Sequence, residues 1–221
     1  MPSVIIYAEA SDGYVTKTSI IDFATARDAT SGSAYSSSAT NNSVGIQALR
    51  VATRGGGTEW RVSRSFFMFD TSSYAAYADV TSVTLSLRGY VNSSGDVIAV
   101  RGNQGASLAA ADFDAIQGWS GGGGDELGNV TVFSNQISTW TTAGYNNIPL
   151  NASAVARINA GSDLDICVLN YDYDLRGVDP GGATDTKNGL YYTDYTGTSS
   201  DPYITMSTPS ADDAIFFGTN F

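Results

Sequence analysis

The chain has 221 residues, of which 42% are hydrophobic and 11% aromatic, with 24 glycines, a single cysteine and no histidine. Its 22 acidic and 11 basic residues leave a formal charge of −11, a field that repels phosphate backbones, and the arginines form no stripe to offset it, so nucleic-acid binding is disfavoured. No apolar run is long enough to cross a membrane as a helix, and abundant Gly, Ser, Thr and Tyr with only Lys17 and Lys187 as lysines fit an all-β chain with many turns.

Val4–Tyr7 and Tyr14–Ile20 read as short strands around the turn Ser11-Asp12-Gly13. Asp22–Asn42 is polar and rich in small residues, the composition of an exposed loop. Val44–Val51 resumes strand character, and Arg54–Gly57 turns the chain into a long strand through Trp60 that ends at Phe69-Asp70. In Val80–Val91 the residues Val83, Leu85, Leu87 and Val91 alternate with Ser82, Thr84, Ser86 and Arg88. That period of two gives a sheet with one buried face and one wet face. Asn92–Gly95 then joins it to Val97–Arg101 as a hairpin turn.

The pattern changes at Ser107–Gly118, which has a helix-like middle with Ser107 placed as an N-cap. Gly121–Gly124 is a flexible excursion, and Val130–Phe133 and Ile137–Trp140 are candidate strands. Asn151–Asn159 reads as a short helix capped by Asn151 and closed before Gly161. In Asp163–Asp174 the residues Leu164, Ile166 and Val168 share a face, which marks a central strand, and Cys167 and Tyr171 share the other. Gly189–Thr193 and Tyr203–Ser207 are the last strands. The expected fold is all-β: a single antiparallel β-sandwich, jelly-roll-like, with one or two short helices. Residues 1–208 form the domain, and a tail over 209–221 follows it.

The tail carries Ile215, Phe216, Phe217 and Phe221 behind the polar spacer Ser207–Asp213. Three phenylalanines in eight residues are costly to leave in water, since burying each is worth about 1.5–3 kcal/mol. These residues either pack on their own domain or dock on a neighbour, and docking is the expectation, with Met1–Tyr7 as a second arm.

The lack of histidine removes the commonest general base, the Ser-His-Asp and Cys-His arrangements and the usual zinc ligand. Cys167 lies between apolar neighbours and reads as a core residue. The carboxylate pairs Asp112/Asp114, Asp125/Glu126 and Asp172/Asp174 have no motif around them, so an enzyme is not expected. Calcium is the one candidate cofactor, through Asp172, Asp174, Asp179 and Asp185 in a Gly-rich stretch, although the spacing fits no EF-hand or nonapeptide loop; otherwise no cofactor is expected. Candidate carbohydrate-binding aromatics are Trp119, Tyr173 and Tyr195, with Trp119 set against the glycine run, while Trp60 and Trp140 read as caps on the core. Met1–Tyr7 has neither a basic n-region nor a long apolar h-region, and one unpaired cysteine fits a reducing compartment, so folding in a cytoplasm is expected.

The segments Arg64–Ser72, Val80–Leu87 and Thr198–Met206 resemble the DNRLRE-type β-sandwich family, jelly-roll domains akin to carbohydrate-binding modules, over residues 10–208. The family's Trp-Glu segment and naming hexapeptide are absent, so no sugar-binding residue carries over. Ala110–Trp119, Asn170–Asp174 and Gly189–Ser199 resemble virion proteins of marine tailed phages. The resemblance implies a non-enzymatic virion structural protein, a capsid decoration or an accessory tail or fibre subunit, made in the host cytoplasm and released by lysis. Its partners would be other virion proteins or further copies of itself. The alternative is a carbohydrate-binding module for surface polysaccharide, serving host adsorption.

Overall fold

The computed structural model describes residues 3–74, 79–182 and 186–209. Among these residues, eleven antiparallel strands make one hydrogen-bonded network folded into a β-sandwich. They are β1 (Ser3–Tyr7), β2 (Gly13–Ser19), β3 (Ala34–Ser36), β4 (Asn41–Ala52), β5 (Thr58–Phe69), β6 (Ser82–Asn92), β7 (Val97–Arg101), β8 (Tyr145–Leu150), β9 (Leu164–Asn170), β10 (Lys187–Tyr191) and β11 (Tyr203–Ser207). One layer runs β1-β11-β6-β8. The other is built on β5, which pairs with β2 along one side and with β4 and then β9 along the other; β3 extends β2, and β7 extends β9. Strand β10 joins the layers by pairing with both β6 and β4.

Alternation sorts the side chains into two cores. Phe67, Phe69, Val83, Leu85, Leu87, Leu164, Ile166, Val168 and Ile204 fill the space between the layers. Val62, Phe66, Val100, Cys167 and Leu169 point the other way, into a second core behind the β5 layer. All seven residues of β9, Asp165 and Asn170 among them, are therefore buried. Burial pushes the Cys167 thiol well above its ordinary pKa, as fits a packing residue. Trp60 and Trp140 are both buried, one in each core.

Irregular segments cover the second core. Helix α1 (Phe23–Arg27) is capped by Asp22, whose carboxylate accepts from Thr25 N at 2.7 Å, and it inserts Phe23 and Ala26. A 3₁₀ turn over Ala110–Asp114 adds Phe113, and a π-helical turn over Tyr171–Leu175 adds Leu175. The helical turn after Ser107 starts later than expected: its capping contact is Asp112 Oδ2 accepting from Ala109 N at 2.7 Å. Helix α2 (Ala152–Asn159) has the expected cap, Asn151, which accepts from Ser153 N at 2.9 Å.

Arg64, at the middle of β5, is buried in this second core. Its guanidinium donates to both carboxylate oxygens of buried Asp174, at 2.8 and 2.7 Å, and to the carbonyls of Phe113 at 2.7 Å and Arg27 at 2.9 Å. Arg27, also buried, donates to the carbonyls of Asp174, Leu175 and Gly124 and to the Asp28 carboxylate. Two arginines thus tie α1, the 3₁₀ turn, the π turn and the glycine-rich loop to the sheet.

The sequence leaves α1, β3, β8 and the π turn unseen: Asp163–Asp174 reads as one strand, but β9 ends at Asn170, and β6 and β7, expected as a hairpin, pair with other strands in different layers. In β8 the residues Asn146, Asn147 and Pro149 are poor strand formers, but β8 is an edge where Pro is tolerated, and Asn146 donates to the Leu87 and Thr141 carbonyls. Val130–Phe133 and Ile137–Trp140 contribute only single bridges, Val132 to Val100 and Ile137 to Val97, rather than strands.

Asp174→Ala should leave the Arg64 charge buried without its carboxylate, a loss of about 3–5 kcal/mol by analogy with other broken buried pairs. Urea unfolding followed by tryptophan fluorescence will check this; a loss below about 1 kcal/mol would mean that the pair is dispensable.

Candidate functional site

The wet face of the β1-β11-β6-β8 layer carries a band of tyrosines. Cross-strand register sets Tyr7 opposite Tyr203, Tyr203 opposite Ser86, Ser86 opposite Asn147, and Arg88 opposite Tyr145. The Tyr7 and Tyr203 rings meet edge to face at 5.9 Å, and those of Tyr203 and Tyr145 at 4.9 Å. Farther along β6, Tyr90 meets Tyr191 at 5.3 Å and Tyr191 meets Tyr195 at 4.8 Å, again edge to face. Arg88 joins the two groups, with its guanidinium 5.9 Å from the Tyr191 ring centre. Such edge-to-face contacts hold the rings in fixed orientations. Tyr7 and Tyr90 are each 42% exposed and Tyr195 37%, while the other three are half-buried.

Local structure explains the placement. At Gly89 a Cβ would fall 1.9 Å from the Thr141 carbonyl oxygen, so only glycine lets that loop close against β6. The register of β6 with β10 shifts at the same point, between Gly189 and Leu190, where the chain turns Tyr191 toward Tyr90. Between the rings lie hydroxyls and amides: Ser86 Oγ is 2.9 Å from Asn147 Oδ1 and donates to it. Tyr145 donates to the Asp201 carbonyl at 3.1 Å. Burial, then its neighbours Tyr203 and Asp201, push its pKa up to about 12, so it stays a neutral donor. Two residues beyond Tyr90 lies a depression of about 290 Å³ lined by Asn92, Ser94, Gly95, Ser138, Thr139 and Trp140. Ser94 there has φ of 60°, a left-handed conformation costly for a non-glycine, held by its N–H donating to Asn92 Oδ1 at 2.9 Å.

The loop that presents Tyr195 is anchored from beneath. Asp12 is 1% exposed, and its carboxylate accepts from Thr193 N at 3.1 Å. Burial, with Asp194 and Asp201 adding repulsion, raises the Asp12 pKa to about 7 despite that hydrogen bond.

Of the residues singled out for sugar binding, only Tyr195 is on this face. Trp119 and Tyr173 are half-buried against the second core, behind the other layer. The Arg64 and Arg27 guanidinia lie 4.0 and 4.6 Å from the Trp119 ring centre, so Trp119 seals the buried ion pair. Tyr7, Tyr90, Tyr145 and Tyr203 went unrecognised; for Tyr90 the signal was present, since it continues the Ser82-Thr84-Ser86-Arg88 wet series. Ile215, Phe216, Phe217 and Phe221 lie outside the described residues, as does Asp185. Of the other calcium candidates, Asp174 holds Arg64, and Asp179 accepts from Trp60 Nε1 at 3.2 Å and from Gly181 N at 2.8 Å. Among the described residues no group of three or more acidic, histidine or cysteine side chains is placed to hold a metal. No protein-family model and no curated protein matches the chain.

Asp12 has a raised pKa in the fold, so its stabilising neutral form is fully present below pH 4 and is lost as the pH climbs through 7. Asp12→Asn, which keeps an acceptor for Thr193 N, should be more stable than the parent at pH 8 and similar to it at pH 4. Thermal unfolding of both proteins between these limits tests this; parallel curves would contradict it.

Proposed function

We propose that this protein is a non-enzymatic virion subunit, a capsid decoration or an accessory tail or fibre protein, and that its tyrosine face is the surface it presents for recognition. The observation that carries the reading is the face itself. Six tyrosines stand in one band, fixed by edge-to-face contacts, on a sheet whose other side is core. Tyrosine gives a rigid contact area with an apolar body and a polar tip, the chemistry favoured at recognition surfaces. Attachment through the termini is supported by the register of β1 with β11. Ser3 lies opposite Ser207, so the chain enters and leaves the described domain at one corner of the sandwich. The resemblance of Ala110–Trp119, Asn170–Asp174 and Gly189–Ser199 to phage virion proteins supports the same reading.

The second reading, a carbohydrate-binding module for surface polysaccharide, is favoured by the hydroxyl- and amide-lined depression beside Tyr90. A neutral glycan laid along the tyrosine band would stack on the rings and find donors and acceptors there, with Arg88 beside the Tyr191 ring. The two readings are compatible in a subunit used for host adsorption.

Two measurements test these proposals. Proteomics of density-gradient-purified particles from the source should find the chain at high copy; its absence would overturn the virion reading. Tyr191→Ala and Tyr203→Ala should each weaken binding to host surface polysaccharide at least tenfold with an unchanged circular dichroism spectrum. Equal binding by the variants would remove the tyrosine face from recognition.

A further inference from the structure

A β-sandwich has open edges, each offering a row of unpaired backbone N–H and C=O groups, and stable proteins guard them. Three of the edges here are guarded. Strand β3 is only three residues long. Strand β8 carries Pro149, which has no N–H to offer. The free side of β7 is covered by the 131–137 segment, through Ile137 bonded to Val97 and Thr131 bonded to Arg101. The fourth edge is β1, which pairs with β11 alone and has no other hydrogen-bonded neighbour among the described residues. Its sequence, Ser3-Val4-Ile5-Ile6-Tyr7, has no charge, no proline and no bulge, and its β-branched and aromatic residues favour strand pairing.

The side chains of β1 are unfinished on both faces. Val4 and Ile6 point inward against the main core but stay only half-buried, because the core ends there. Ile5 points outward and is 54% exposed, beside Tyr7 at 42%. In a chain of formal charge −11, a five-residue edge without charge is where two copies can approach with least repulsion.

We infer that the free edge of β1 pairs with β1 of a second copy, antiparallel about a two-fold axis at Ile5. That register sets Ile5 against Ile5 of the other copy, Ser3 against Tyr7, and Val4 against Ile6. It prolongs the sheet across the dimer, closes the open end of each main core with the other's Val4 and Ile6, and joins the two tyrosine bands into one continuous face. The strand is self-complementary, as an isologous interface requires. One strand pair buries less than the roughly 800 Å² per partner of a standard stable interface, so the dimer is weak and reversible. The inference deepens the proposed attachment through the termini: β1 serves contacts between copies, and the C-terminal segment remains for the particle.

The full-length chain, free of particles, is the material for the test, so the outcome does not depend on the virion reading. Sedimentation equilibrium between about 1 and 200 μM should show mass rising from 23.1 kDa toward twice that value. Ile5→Arg, at an outward and exposed position, should stay monomeric at all concentrations with unchanged circular dichroism, and should lose the rise of melting temperature with concentration that the dimerising parent shows. Ile5→Cys should form a disulfide-linked dimer on mild oxidation, because Cys167 is buried, whereas Ile20→Cys, at a position 77% exposed but away from β1, should not. A monomeric parent at 200 μM, a dimer that survives Ile5→Arg, or equal cross-linking from position 20 would each overturn the inference. So would a dimer lost only on truncation after Pro209, which would assign the contact to the tail.

Discussion

Arg64 stands at the middle of the strand to which most of the second layer is attached, and it points into a space closed to water. A guanidinium there is costly unless its donors are answered, and Asp174 answers it bidentately while the Phe113 and Arg27 carbonyls take the rest. Each partner comes from a segment without regular strand structure: the 3₁₀ turn, the end of α1 and the π turn. The charge therefore dictates where three irregular segments must lie. Arg27 extends the same logic to the glycine-rich loop through the Gly124 carbonyl. Glu126 closes that loop by accepting from Ser120 and Gly121 N–H and from Asn129. Trp119 then lies over both guanidinia.

This arrangement explains why the two layers are so unlike. The β5 layer has both faces covered, one by the main core and one by the segments that Arg64 and Arg27 collect. The β6 layer has one face on the core and the other in water. Only the second has a surface on which side chains can be displayed from regular strands, and a sheet backed by a packed core is a stiffer support than loops are. The tyrosines occupy that surface. Their orientations follow from register, from the close approach at Gly89 and from the anchoring of the Tyr195 loop on Asp12. Asp12 also makes that loop a pH-sensitive support of the face, because burial destabilises its carboxylate on ionising and Asp194 and Asp201 add repulsion.

The all-β class, the antiparallel sandwich, every strand except β3 and β8, and the Asn151-capped helix were legible because each rests on a local pattern. Period-two alternation, a cap, or a turn residue acts within a few positions of its effect. Helix α1 was not legible, since five residues show no helical period and Phe23 and Ala26 form a face only where the second core receives them. Strand β8 was not legible either, because its asparagines and proline act against strand formation until an edge position and the bonds of Asn146 make them acceptable. Arg64 was read as part of a strand signature, yet nothing near it in sequence reveals a partner 110 positions away.

The candidate face divides the same way. Composition and alternation alone determined that this acidic, histidine-free chain folds as a β-sandwich with a wet side that carries hydroxyls. Which aromatics share that side was decided only in three dimensions. Tyr7, Tyr203 and Tyr145 come from β1, β11 and β8 and meet across the sheet, while Trp119 is drawn inward to cover a buried charge. Alternation fixes the side of its own strand on which a residue lies; only strand order and register fix its neighbours.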